Sequence, residues 1–295
     1  MTQLSPAIVI EDNLELLSLP DIVIQLNEML DDPACNAADI SQLISRDDTL
    51  SNRLLKIVNS PLYGIPSRID SVSMALTATG AVQLRDMVMA LSLINHFNHL
   101  PEGLISAAHF WRHGIAVATA ARVLAARLQI PNSEQFFIAG LLHDIGKLAM
   151  YLLQPDISRE VLVMASRGNH DVHTLEQTAF GFDHAELGAE LLRQWHLPGL
   201  VIKSVANHHH PTGAGKFVKE AAIVHLANTI GNTIDAIISI DDDFPVDSRV
   251  WEILQLDPNE QADLTMEAHV MQHSLQNIFL ELYNERDTTT TELGG

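Results

Sequence analysis

The chain has 295 residues, enough for one large domain or two modest ones with a substantial buried core. Apolar residues make up 47% and charged residues 18%, a globular composition that excludes a wholly disordered chain. Acidic residues outnumber basic ones by 37 to 17. The formal charge of −20 argues against a nucleic-acid partner, because no basic stripe offsets it.

The sequence carries few signals for targeting or cross-linking. Its apolar runs are shorter than a membrane span, and no basic segment followed by an apolar core resembles a secretory signal. The single cysteine, Cys35, excludes an internal disulfide framework. We therefore expect a cytoplasmic protein with no membrane partner.

Residues 18–100 predict a series of short amphipathic helices. Apolar residues three and four apart mark one helix at 22–30, which Asp31-Asp32-Pro33 ends because proline cannot continue a helix. Asn59-Ser60-Pro61 is expected to stop another, and Ser71 to cap a third. The same spacing predicts helices at 39–44, 50–58 and 82–91.

Longer helices follow a joint at Pro101-Glu102-Gly103, in a region nearly free of strand-like alternation. One is predicted at 107–128, and another at 133–153 with Ser133 as its N-cap. The rest are predicted at 157–167, 172–179, 184–195, 200–207, 219–236 and 263–283. The fold class is therefore all-α, followed by a tail at 286–295 that we expect to be disordered.

Chemistry-bearing residues concentrate in the second half of the chain. Apolar residues flank His143-Asp144 on both sides, so this imidazole and carboxylate are costly to bury unless something pairs with them. His113, His184 and the pair His208-His209 lie in the same apolar helical frame. A carboxylate can bridge two cations while imidazoles complete each coordination shell. Together these residues predict a metal site.

A simpler explanation competes for each histidine taken alone. A single histidine on an apolar helix face is more often a hydrogen-bonded core residue than a metal ligand. We assign the remaining histidines of this kind to the core or the surface: His96, His99, His170, His173, His225, His269 and His273.

The joint pattern resembles the HDOD family, the signalling branch of the HD superfamily of metal-dependent phosphohydrolases. The His-Asp pair at 143–144 gives the superfamily its name. The landmarks shared with the HDOD branch are Leu19-Pro20, Ile44-Ser45-Arg46-Asp47, Asn59-Ser60-Pro61-Leu62-Tyr63-Gly64, Gly80 with Leu84-Arg85, and His184 to Ala189 with Trp195 and Leu197-Pro198. One position differs from the family pattern: Thr79 precedes Gly80, where the family usually has leucine.

The resemblance implies a two-lobed helical bundle, with one lobe at 14–105, an HD-like lobe at 106–285 and the HDOD unit at about 14–212. It also implies a role in bacterial signal transduction through protein partners. The positions at which HD-GYP cyclic-dinucleotide phosphodiesterases have metal ligands are occupied by His113, His143, Asp144, His184, His208 and His209. We expect one or two divalent transition-metal ions, iron or manganese before zinc.

Two departures bear on activity. The final superfamily ligand is an aspartate, and here it is Asn228, an amide that can coordinate but brings no charge. The Gly-Tyr-Pro loop of HD-GYP enzymes is replaced by residues 210–215. Lys147 lies one turn after His143, and two interpretations stay open for it. Its ammonium group reaches a phosphate oxygen as a point charge, or it is a lysine on the helix surface.

Two functions therefore stay open. One is a signalling module that keeps its metal site and acts mainly through protein contacts. The other is a phosphohydrolase for a nucleotide or cyclic dinucleotide, with Asp144 and Lys147 as its catalytic residues.

Overall fold

The computed structural model describes residues 5–131, 133–167, 171–234 and 246–287. Within these ranges the regular structure is helical and contains no strand, which confirms the all-α prediction. Most of the predicted tail, residues 288–295, lies outside the described residues, and the last helix continues to Asp287.

The helices fall into two compact units that do not follow a single cut along the chain. One contains the described residues up to Ser18 together with His99–His269. The other contains Leu19–Asn98 and the described residues from Val270 onward. The lobe limits taken from the family resemblance, 14–105 and 106–285, remain predictions.

The Leu19–Asn98 unit is built from short helices with strong start signals. Asn36 forms a capping box with Asp39, and the side chains of Asp47 and Ser71 accept hydrogen bonds from the helices that they precede. Ser71 is therefore the N-cap that the sequence predicts. The helices of this unit are α2 (Asp21–Asp31), α3 (Ala37–Ile44), α4 (Asp48–Val58), α5 (Val72–Thr79) and α6 (Ala81–His96).

The segment after α4 is tied to that helix by one amide. The Asn59 side chain donates hydrogen bonds to the carbonyl oxygens of Leu55 and Ile69, each at 2.8 Å, and accepts one from the Ile69 N–H at 2.9 Å. It thus satisfies the end of the helix and closes the loop that follows. The helix stop predicted at Asn59-Ser60-Pro61 is where α4 ends.

The larger unit is organised around one long helix, α7 (Ala107–Arg127), which packs against two others, α8 and α14. Gly140 allows α8 to come close, because a Cβ at this position would lie 2.7 Å from the Ala118 Cα. The helices of this unit are α1 (Pro6–Glu11), α7, α8 (Glu134–Leu141), α9 (Ile145–Leu153), α10 (Pro155–Ala165), α11 (Val172–Phe180), α12 (His184–Gln194), α13 (Gly199–Ala206), α14 (Val218–Ile234), α15 (Ser248–Leu254) and the start of α16 (Gln261–Asp287).

The single helix predicted at 133–153 is wrong. It is two helices, α8 and α9, separated by a turn in which Ile145 N–H donates to the Leu142 carbonyl and Lys147 N–H to that of Asp144. Ser133 precedes α8, but its side chain makes no capping hydrogen bond.

The stretch Glu134–Leu153 is also apolar enough to cross a membrane by length and composition. Because 89% of its most apolar window is buried inside the protein, it has the character of a core segment.

Candidate metal centre

The predicted ligands come from five places in the larger unit. His113 lies within α7 and Asn228 within α14. His143 and Asp144 form the turn between α8 and α9. His184 is the first residue of α12, and His208 and His209 follow the end of α13.

These side chains meet in two groups around one carboxylate. Ligand atoms of His113, His143 and Asp144 lie within 4.8 Å of one another, and so do those of His184, His208 and His209. We call His113, His143 and Asn228 the His113 end, and His184, His208 and His209 the His184 end.

Asp144 stands between the two ends. Its Oδ2 lies 3.3 Å from His143 Nε2, and its Oδ1 lies 3.2 Å from His184 Nε2 and 3.8 Å from His208 Nε2. Each oxygen of this buried carboxylate therefore addresses a different group of imidazoles, which is the arrangement of a bridging ligand.

A close helix contact brings the two ends together. A Cβ at Gly146 in α9 would lie 1.9 Å from the carbonyl oxygen of His184 and 2.7 Å from the amide nitrogen of Gly188. No other residue fits there without moving α12 away from α9. Glycine at this position therefore sets the distance between Asp144 and His184.

Two of the imidazoles are oriented by backbone carbonyl groups. His143 Nδ1 lies 2.8 Å from the Gly140 oxygen, and His208 Nδ1 lies 2.7 Å from the Val205 oxygen. A carbonyl oxygen only accepts, so each Nδ1 carries the proton and each Nε2 faces the centre of the cluster with its lone pair.

The inward-facing atoms test whether a metal fits. The ring nitrogens His143 Nε2 and His208 Nε2 are buried and have no hydrogen-bond partner in the structure, and the buried Asp144 Oδ1 has only His184 Nε2 near it, at 3.2 Å. Native proteins rarely bury such atoms without a partner. Such nitrogens on either side of one buried carboxylate are atoms of the types that bind borderline divalent metals, so the residues present fit a metal centre.

Lys147 belongs to this cluster. Its side chain is only 5% exposed, and its Nζ lies 3.0 Å from Asp144 Oδ2. The surface-lysine interpretation is therefore wrong, because a buried ammonium group next to a carboxylate is an ion pair within the core.

The electrostatics of the cluster depend on Asp144. Burial raises the pKa of this carboxyl, but the nearby His143 and Lys147 outweigh burial and hold the pKa well below its ordinary value. Burial likewise lowers the pKa of His208 and of His209, and neighbouring imidazoles lower both further. The site thus presents an ionised carboxylate and two neutral imidazoles near neutral pH.

His184 differs from its neighbours. Burial by itself lowers the pKa of His184, yet Glu176 and Asp144 raise it to about 10. The Nδ1 atom of His184 lies 2.5 Å from Glu176 Oε2, and both side chains are almost fully buried. Without a metal, His184 is therefore an imidazolium between two carboxylates.

Asn228 reaches the His113 end. Its Oδ1 lies 3.1 Å from His113 Nε2, and the residue is buried. The amide is thus in place to offer a neutral oxygen beside two imidazoles, and this end has Asp144 as its only carboxylate among the predicted ligands.

The sequence does not identify two residues that adjoin the cluster. Glu176, in α11, is one. His173 is the other: it was assigned to the core or the surface, but its ring stacks on that of His209, with centroids 4.5 Å apart. Neither residue stands in a recognisable sequence motif. The turn from α11 into α12 brings both of them close to the cluster. His225, by contrast, is hydrogen-bonded through Nδ1 to the His208 carbonyl, as expected of a core histidine.

Fold and cluster together define an all-helical protein with an HD-type His-Asp site. The family model of the HDOD domain matches residues 16–211, about two thirds of the chain. The chain belongs to the HDOD family.

The chain is also similar to a bacterial protein at low identity. An uncharacterized protein of Treponema pallidum (strain Nichols) is 26% identical over 202 residues, which are 66% of this chain and 38% of that protein. The chain thus spans well under half of that relative's length.

Solved structures are similar in fold. A protein of Shewanella amazonensis SB2B, provisionally named a phosphohydrolase, has a TM-score of 0.73 at 23% identity, covering 92% of this chain and 97% of that one. A protein of Marinobacter aquaeolei VT8, provisionally named a signal transduction protein, has a TM-score of 0.69 at 21% identity, covering 93% and 61%.

Proposed function

We propose that this protein is an HDOD signalling module that holds divalent metal at the His-Asp cluster and acts mainly through contacts with protein partners. One observation carries the metal assignment: the buried ring nitrogens of His143 and His208 lie beside the Asp144 carboxylate, at 3.3 and 3.8 Å, without hydrogen-bond partners. Family membership supports the signalling role.

The candidate ligands fall into two sets that share Asp144. His184, His208 and His209 would bind at one end, and His113, His143 and Asn228 at the other, with Asp144 shared. Imidazoles and a carboxylate without thiolates favour iron or manganese over zinc. We assign the protein to the cytoplasm and expect neither nucleic acid nor membrane as a partner.

A second function has specific support. Histidine or aspartate is kept at six of the positions that the family resemblance marks as ligands, with Asn228 in place of the final aspartate, and Lys147 lies beside Asp144 in the buried site. Bound divalent metal would supply Lewis-acid activation of a phosphate ester and of water. Lys147 would orient a phosphate oxygen as a point charge, and Asp144 would hold the cluster together.

Two features favour the signalling role over this activity. Asn228 removes a charge from the His113 end, and the Gly-Tyr-Pro loop is replaced by residues 210–215. These run from His210 into a short 3₁₀ segment, Pro211–Phe217, that has a kink at Gly215. We expect negligible hydrolysis of cyclic di-GMP.

Metal analysis tests the shared premise of both functions. The purified protein, as isolated and after reconstitution with Fe²⁺ or Mn²⁺, should retain at least one equivalent of metal after gel filtration. Well under one equivalent in both preparations would refute the metal site. Steady turnover of cyclic di-GMP to the linear dinucleotide, with enzyme at substoichiometric concentration, would replace the signalling role with the phosphohydrolase.

A further inference from the structure

Glu176 is a buried carboxylate that the predicted ligand set does not use. It lies in α11 and is only 3% exposed. Carboxylates are rarely buried to this extent unless they are paired, because an unpaired charge is strongly destabilised when it loses its hydrating water. Its described contacts all go to one residue, His184, so its role is to be sought there.

Two hydrogen bonds converge on the same oxygen. The backbone N–H of His184 donates to Glu176 Oε2 at 2.9 Å, and the ring Nδ1–H donates to the same atom at 2.5 Å. The backbone bond places the side chain at the first turn of α12, where unpaired N–H groups need acceptors. The ring bond has a different consequence, because it fixes both the rotation and the tautomer of the imidazole.

The fixed imidazole presents its other nitrogen to the cluster. With the proton of Nδ1 directed at Glu176, His184 Nε2 lies 3.2 Å from Asp144 Oδ1 and 2.9 Å from His209 Nε2. The other two oriented histidines, His143 and His208, have neutral carbonyl groups behind them. A carboxylate behind an imidazole makes it a stronger donor to a metal than a carbonyl does.

We propose that Glu176 is a positioning residue, which holds His184 so that Nε2 faces a divalent metal and thereby makes the His184 end the tighter of the two metal sites. The proposal rests on the metal site of the proposed function. It adds a residue that is eight positions and one helix away from the ligand it serves. Its removal should weaken metal binding by about 10- to 100-fold, as removal of such outer partners does elsewhere.

A structural role is the rival explanation, since Glu176 also caps α12. The substitution Glu176→Gln separates the two. Glutamine keeps the volume and an oxygen that can accept from the backbone N–H and from Nδ1–H, but it removes the negative charge behind the imidazole. Glu186→Gln is the matched control, because Glu186 caps the same helix in a box with Asp183 and has no described contact with the cluster.

The experiment is a chelator-buffered titration of the full chain with Mn²⁺ at pH 8. The Co²⁺ absorption spectrum gives a second readout. For Glu176→Gln we expect the tighter Mn²⁺ affinity to fall about 10- to 100-fold and the Co²⁺ bands to shift. Glu186→Gln should leave both unchanged while lowering the melting temperature of the metal-free protein.

The outcomes are distinguishable. Wild-type affinity and spectrum in Glu176→Gln would overturn the positioning role while leaving the metal site intact. No Mn²⁺ binding by the wild type would overturn the metal site and this proposal together. Glu176→Asp guards against misfolding of the first variant: it keeps the charge on a shorter side chain, and it should retain more affinity than Glu176→Gln. Equal losses in the two variants would contradict a role for the charge.

Discussion

The two ends of the cluster share Asp144 but are supported differently. At the His184 end, three histidines meet from the start of α12 and from the residues after α13, and the buried Glu176 carboxylate is hydrogen-bonded to the first of them. At the His113 end, two histidines are completed by the neutral amide of Asn228. The two ends are thus two sets of candidate ligands that differ in charge and in the groups that orient them, and the difference is testable end by end.

Asp144→Ala should have the largest effect, because this carboxylate serves both ends. Bound metal stabilises the native state by about 2.7 kcal/mol when free metal exceeds Kd by 100-fold. We expect the variant to lose this stabilisation, measured as the rise in melting temperature on adding Mn²⁺. The control is Asp156→Ala, an exposed carboxylate paired with Arg159. A normal metal-induced rise in Asp144→Ala would contradict the shared role of this residue.

Gly146→Ala tests whether one helix contact sets the distance between Asp144 and the His184 end. The added methyl group would overlap the His184 carbonyl, so α12 must move away from α9. We expect a loss of about 2 kcal/mol in the free energy of unfolding, within the range for overpacking, as measured by urea denaturation. Gly199→Ala is the matched control, since its nearest neighbour, Phe217, is 3.7 Å away. Equal stabilities of the two variants would argue against this contact.

Asn228→Asp should strengthen only the His113 end. It supplies a charged oxygen at nearly the same volume, 3.1 Å from His113 Nε2 in the present geometry. We expect the weaker of two metal affinities to improve by roughly 1–3 kcal/mol, the range for hydrogen bonds to charged groups. Titration with Mn²⁺ measures both constants. An unchanged weaker constant would mean that residue 228 is not a ligand.

The smallest effect concerns protons at the His184 end. Because the pKa of His184 is raised to about 10, this imidazole carries a proton at pH 8 that a metal must displace. Affinity at this end should therefore rise by roughly tenfold, about 1.4 kcal/mol, per pH unit between pH 7 and 9. Calorimetry in buffers of different ionisation enthalpy should detect one released proton. A pH-independent affinity over this range would contradict the His184–Glu176 pairing.

The sequence predicts most of the helices but misses the break that matters most for the site. Proline and capping residues mark the ends of α2 and α4, and these ends are found where the local signals lie. Between α8 and α9 the neighbours of His143 and Asp144 are apolar and helix-compatible, and no local residue signals a turn. Packing against α12 through Gly146 accompanies the break, and such packing cannot be read from local patterns.

For the candidate site, too, the sequence predicts what local motifs mark and misses what depends on tertiary packing. That several of these side chains lie together could be predicted because they stand in compact motifs, such as His143-Asp144 and His208-His209. Glu176 could not be predicted, since a lone glutamate in a helix resembles any solvated residue until the turn before α12 folds back. The burial of Lys147 could not be predicted from the sequence either, because it depends on which face of α9 packs against the core.

The cluster draws most of its ligands from helix ends: His143 and Asp144 between α8 and α9, His184 at the start of α12, and His208 and His209 after α13. An α-helix advances about 100° per residue, so inserting one residue into α8 or α13 would turn the following ligands away from the centre. The number of residues in α8 and in α13 therefore fixes the direction in which the following candidate ligands point. Substitutions on the outer faces of these helices leave the helix length unchanged. An insertion or deletion of a single residue changes it and so displaces the candidate ligands that follow.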